Sequence, residues 1–156
     1  MSIQPKTALK YWLPPVLWMA MIVVFSGDAL EFGRTAHIIA WFFGLFGVEL
    51  QIETLFLINL VARKAVHMIT YGVLSLLVFR ALRDGETGWR LRWVLLALVI
   101  ALAVASVDEY RQTFYADRTG TAVDLVYDLS GAALAQLLLW WRIRERAGVP
   151  VSASAE

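Results

Sequence analysis

Hydrophobic positions along this chain fall into long, nearly uninterrupted runs. YWLPPVLWMAMIVVFS occupies residues 11–26, and AVHMITYGVLSLLVFRAL begins at Ala65 behind the apolar LFLINLVA. WRLRWVLLALVIALAVASV covers 89–107 and AVDLVYDLSGAALAQLLLWW covers 122–141. A helix needs about 20 residues, within a range of about 17–25, to cross a hydrocarbon core of about 30 Å. The pattern therefore predicts transmembrane helices over about 11–26, 60–82, 89–107 and 122–141. The first two reach that length only by using interfacial aromatics and polar ends, whereas the last two span comfortably. Pro14 and Pro15 are expected in the first turn of the first helix, where a missing N–H costs little. Between the first two runs, His37 to Leu50 is rich in Trp and Phe and broken by Gly44 and Gly47. At about 14 residues it is too short to cross, so an interfacial or re-entrant amphipathic segment is expected. The predicted fold class is all-α: an integral membrane four-helix bundle with that segment between spans 1 and 2. A single domain is expected over 1–146, with a flexible cytoplasmic tail over 147–156.

Composition sharpens this. Of 156 residues, 60% are hydrophobic and 17% charged, against about 45–50% and about 25% in soluble domains. The net charge of +1 gives no sign of a nucleic-acid partner, and the lack of cysteine excludes disulfides, thiolate catalysis and Cys-ligated metals. FSGDALEF offers no clear small-x-small cleavage site, so the first run reads as a retained helix rather than a signal peptide. Loop charges then set orientation. Nine of the 14 basic residues (Lys6, Lys10, Arg80, Arg83, Arg90, Arg92, Arg142, Arg144 and Arg146) fall on one side of the expected spans. Arg34, Arg63, Lys64, Arg111 and Arg118 fall on the other. The expectation is a multi-pass inner-membrane protein with both termini cytoplasmic.

That orientation sends outward the one dense polar stretch, VDEYRQTFYADRTGTAVDLVYD, with seven charged residues in positions 107–128. At helical spacing Lys64, His67 and Tyr71 share a face, as do Asp108 with Gln112, and Asp124 with Asp128 and Gly131. Lys64 can snorkel to the outer headgroups and Arg63 can anchor there, while Glu109 and Arg111 are expected to point elsewhere. His67 could serve only as a helix-packing hydrogen bond, and Asp124 only as an acid meeting a helix N-terminus. Asp128 is harder to place so, because a carboxylate two turns into an apolar helix needs a cation, a donor or a proton. The expected site is one outward-facing pocket of Lys64, His67, Asp108, Gln112, Arg118, Asp124 and Asp128. Three acids beside Lys, Arg and His suit phosphate or sugar recognition, proton transfer or a hard divalent cation, although nothing in the sequence requires a cofactor.

At these residues the chain resembles the VanZ-like family of small integral membrane proteins. The matching pattern is Arg63, Lys64, His67 and Tyr71, then Asp108, Glu109, Gln112, Arg118, Gly120, Asp124, Asp128 and Gly131, with Ser26 closing the first span. Thr70 departs from it, standing where many members carry Glu. The resemblance implies association with the cell envelope and, through the founding member, with susceptibility to the glycopeptide antibiotic teicoplanin.

Three functions fit these residues. An enzyme could act at the outer leaflet on a membrane lipid or lipid-linked envelope precursor, with His67, Asp108, Asp124 and Asp128 catalytic. Arg63, Lys64, Tyr71, Glu109, Gln112 and Arg118 would then bind substrate. An accessory protein could hold the same ligand without turning it over. A small proton-coupled transporter or flippase would need a homo-oligomer, since four short spans leave little room for alternating access.

Overall fold

The computed structural model describes residues 5–25, 32–114 and 122–148, which form five helices and, among these residues, no strand. They are α1 (Pro5–Phe25), α2 (Phe32–Gly44), α3 (Ile52–Arg83), α4 (Leu91–Gln112) and α5 (Ala122–Gly148). Helices α3, α4 and α5 are long and apolar enough to cross a membrane, while the apolar stretch of α1, Leu9–Phe25, is shorter. Large apolar side chains such as Leu17, Val61, Ile69, Val99, Val126 and Leu137 stand exposed around the outside. A water-soluble surface does not carry so continuous an apolar girdle.

Three of the predicted boundaries move. Pro5 is the first residue of α1, so Pro14 and Pro15 lie in its interior rather than its first turn. Proline at a first helical position is preorganised for the helix, and an apolar setting tolerates prolines farther in when neighbours re-satisfy the freed carbonyls. The second predicted span grows to 32 residues, about 48 Å at 1.5 Å per residue, because LFLINLVA runs into RKAVH without a breaker. Asp84, in the left-handed region at φ 47°, ends it by returning its N–H to the Ala81 carbonyl. At the far end α5 continues past Trp141 through the arginines to Gly148. In the segment after α1, residues 32–44 are helical, and Gly47, at φ 73°, turns the chain beyond them.

Helix α3 is the central element. It packs against α5, α4, α1 and α2, and α4 also packs on α5. Each long helix turns one stripe of four-residue spacing inward. On α4 it is Ala97, Ala101 and Ala105, ending in Asp108 and Gln112; on α5 it is Asp124, Asp128, Ala132 and Gln136. On α3 it is His67, Tyr71 and Ser75, flanked by Leu74 and Val78. Alanine at this spacing lets helix axes approach closely. The closest approach is where α3 meets α5: a Cβ added to Gly131 would overlap the Met68 backbone, and one on Gly72 would lie 3.2 Å from the Gly131 carbonyl oxygen.

Polar ties cross these apolar contacts. Gln136 Nε2 donates to the Ser75 hydroxyl at 2.7 Å and to its carbonyl at 3.0 Å, with both residues buried. Trp18 Nε1 donates to the Thr70 carbonyl at 3.0 Å, holding α1 on α3. Asn59 donates to Thr35, holding α2 along the first turns of α3. Interhelical hydrogen bonds in membranes average about 0.6 kcal/mol, with a maximum near 1.7. Gln136→Leu is therefore expected to lower stability by about 1 kcal/mol, read as a drop of a few degrees in the melting temperature of the detergent-purified protein. A larger effect than that of Gly131→Ala would mean that the Gln136–Ser75 tie, rather than the close backbone contact at Gly131, dominates the joining of α3 to α5.

Candidate functional site

The three inward stripes are apolar along most of their length and turn polar at one end. That end gathers the last turn of α4, the first two turns of α5 and residues 63–71 of α3. Buried there are His67, Tyr71, Asp108, Glu109, Gln112, Asp124 and Asp128, each at most 7% exposed.

The cluster has three linked parts. His67 Nδ1 lies 2.9 Å from Asp128 Oδ1, a buried pair joining α3 to α5. Asp108 Oδ2 accepts from the Tyr71 hydroxyl at 3.4 Å and from Gln112 Nε2 at 3.1 Å. The Tyr71 ring stacks against His67 with centroids 6.5 Å apart, linking the two parts. Nearer the rim, Asp124 pairs with Lys64 and lies 3.6 Å from Arg63 Nη2. Arg111 Nη1 lies 3.8 Å from Asp108 Oδ1 and donates to the Val23 carbonyl at 2.9 Å, so α1 also reaches this end.

The expected face-sharing sets therefore meet in space, with corrections. Lys64 has a partner within the protein: its ammonium pairs with Asp124 and lies over the Tyr127 ring, 5.0 Å from its centroid. A carboxylate at 3% side-chain exposure attracts it more strongly than the helix exterior does. Asp124 is correspondingly a cross-helix ion-pair partner and more than a helix-end charge. Glu109 does not point elsewhere, being buried at 5% exposure, and Arg111 approaches Asp108. The cause is the packing of α4 against both α3 and α5: at 100° per residue, Asp108, Glu109 and Gln112 fall within one sector of about 100°. Arg118, Gly120 and Ser26 lie outside the described residues. Sequence reasoning passed over Gln136 and Ser75, although a glutamine within the apolar AALAQLLLWW was a visible signal.

Two atoms lack partners in ways that matter. Asp128 Oδ2 is buried without a hydrogen bond, as is Gln112 Oε1. An unsatisfied buried polar atom costs about 1–3 kcal/mol, and more if charged. His67, Glu109 and Asp128 also each offer a ligand atom, all within 4.8 Å of one another. Beside the cluster, a groove of about 180 Å³ runs between α2 and α3, lined by Thr35, Ile38, Ile39, Asn59, Ala62, Arg63 and Val66. Arg63 stands where this apolar groove meets Asp124, and its Nε is buried without a partner.

Partial exposure of Lys64, 21% for its side chain, makes its bond to Asp124 measurable without unfolding the bundle. In a double-mutant cycle of Lys64→Ala and Asp124→Asn, a coupling of about 1–3 kcal/mol is expected, with the double variant less damaged than the two singles combined. Additive losses would mean that the two side chains do not act together.

These helices and this site define the class: a helical membrane protein with a buried histidine–carboxylate cluster at one end of its bundle. The family model for VanZ/LLP1 matches residues 11–143, and the chain belongs to that family. No curated protein and no solved structure matches it.

Proposed function

We propose that this protein crosses the inner membrane four times and recognises a phosphate-bearing envelope lipid or lipid-linked saccharide at the outer leaflet. In this reading α1 is the fourth span, α2 lies at the interface, both termini are cytoplasmic and the histidine–carboxylate end faces outward. The bias of basic residues toward the termini and the α3–α4 connection supports that orientation. Residues 1–146 act as a single domain and 147–156 as a tail.

The observation that carries the functional reading is the His67–Asp128 pair, buried at 2.9 Å between two apolar helices. Packing alone would favour an apolar pair at this depth, because desolvating ionisable groups is costly. A carboxylate on one imidazole nitrogen fixes the ring and its tautomer, leaving the second nitrogen for a ligand or a proton. Lys64 and Arg63 at the rim supply charge for a phosphate, and the apolar groove ending at Arg63 supplies a surface for an acyl chain. His67 and Asp128 form the acid–base pair, Asp108 and Asp124 orient the surrounding donors, and Tyr71, Gln112, Glu109 and Arg118 complete the headgroup site. Altered susceptibility to glycopeptide antibiotics is the phenotype that follows from a change in such a lipid.

The test is lipid and cell-wall-precursor analysis of a deletion strain beside a strain carrying chromosomal His67→Ala. The expected result is the same altered lipid or precursor in both. A normal profile in His67→Ala cells that contain the variant protein at wild-type level would refute the reading.

A further inference from the structure

We propose that His67, Glu109 and Asp128 form a binding site for one divalent transition-metal ion, of the zinc or manganese type. The inference deepens the functional reading above, since a cation here changes what the pocket can hold.

Geometry is the first support. The three residues come from three different helices, all are buried, and their candidate ligand atoms lie within 4.8 Å of one another. Ligand atoms on a single zinc ion sit about 3–3.5 Å apart, given metal–ligand bonds of about 2.0–2.2 Å. The observed spacing is of the order a single ion spans once its ligands close on it.

The second support is independent of that spacing. Asp128 is 1% exposed, yet its Oδ2 has no hydrogen-bond partner, a position that a cation would satisfy. Among the described residues, Asp128 pairs with His67, while Arg63 and Lys64 contact Asp124 and Arg111 contacts Asp108.

Donor type gives the third. One nitrogen and two carboxylates favour zinc or manganese over calcium, which takes six to eight oxygen ligands. In the loaded state His67 serves as a ligand, and phosphate recognition rests on the ion together with Lys64.

The experiment uses the full-length protein in detergent, stripped with a chelator and titrated with Zn²⁺ and Mn²⁺ by calorimetry and native mass spectrometry. One ion per chain is expected. Glu109→Gln and Asp128→Asn should each weaken binding at least about 100-fold, while Gln136→Leu, deeper in the bundle, should leave it unchanged. Should the ligand variants fail to fold, Co²⁺ added to the wild-type protein decides: a low-coordinate nitrogen–oxygen d–d spectrum supports the site, and the spectrum of the aqueous ion overturns it. Absence of stoichiometric uptake, or uptake indifferent to both substitutions, also overturns it. These readouts need no lipid, so metal uptake without a retained lipid would remove only the proposed function. Lipid retained by a protein that takes up no ion would remove only the metal site.

Discussion

Replacing Gly131 with alanine is expected to destabilise the bundle by more than about 2 kcal/mol, enough to deplete folded protein in fluorescence-detected size-exclusion chromatography. The sign is opposite to that of an isolated helix, where alanine is favoured over glycine by about 1 kcal/mol. The added methyl would overlap the Met68 backbone of α3, so relief requires the two helix axes to separate. Overpacking a close contact costs about 1–3 kcal/mol even when side chains can yield, and here the obstacle is main chain. Separation would also stretch the His67–Asp128 and Gln136–Ser75 hydrogen bonds, which cross the same pair of helices. Gly72→Ala is the graded comparison: its Cβ would sit 3.2 Å from the Gly131 carbonyl oxygen and 3.5 Å from Ala135 Cβ, a fit that needs only a few tenths of an ångström of movement. A milder loss is expected there. Equal stability of Gly131→Ala and the wild type would mean that α3 and α5 do not approach as described.

The second large effect is functional. Asp128→Asn keeps the volume and one hydrogen-bonding oxygen of the residue, so the bundle is expected to accumulate and melt within a few degrees of wild type. Its charge is lost, and with it the fixed tautomer of His67 and the means of stabilising an imidazolium. General acid–base groups contribute about 10²–10⁴-fold to the rates they serve. Cells carrying Asp128→Asn are therefore expected to show the full lipid or precursor change of the deletion strain despite normal protein levels. Asp124→Asn should be milder in function, since its partners Lys64 and Arg63 sit at the rim with 21% and 26% side-chain exposure and can be rehydrated. The order Asp128→Asn worse than Asp124→Asn is the checkable outcome, and its reversal would place the functional centre at the rim.

Much of this arrangement was legible in the sequence because helical spacing is a local property. Lys64, His67 and Tyr71, then Asp108 with Gln112, then Asp124 with Asp128 and Gly131, could be assigned to faces before any helix was placed, and those faces do converge. Run length also marked α3, α4 and α5 as apolar helices of spanning length. Other features depend on neighbours and could not be read locally. Glu109 sits about 100° around α4 from Asp108, and its burial follows from α4 being packed on two sides. The direction of Lys64 depended on Asp124 lying across the α3–α5 contact, 60 residues away in sequence. Continuation of α1 back to Pro5 escaped the hydrophobic pattern because KTALK, between Pro5 and the apolar run, carries two lysines and no apolar run of its own. Ser75 and Gln136 looked like isolated polar residues in apolar helices, and only their meeting gives each a reason.

The claim at the centre is that the histidine–carboxylate pocket holds an anionic envelope lipid. Native mass spectrometry of the detergent-extracted protein tests it most directly, comparing wild type with Lys64→Ala for retained phosphate-bearing lipid. The expected result is one lipid per chain in the wild type, reduced by at least about tenfold in the variant while the protein mass remains that of the intact chain. Wild-type protein that retains no such lipid, or a variant that retains it to the same extent, would contradict the claim.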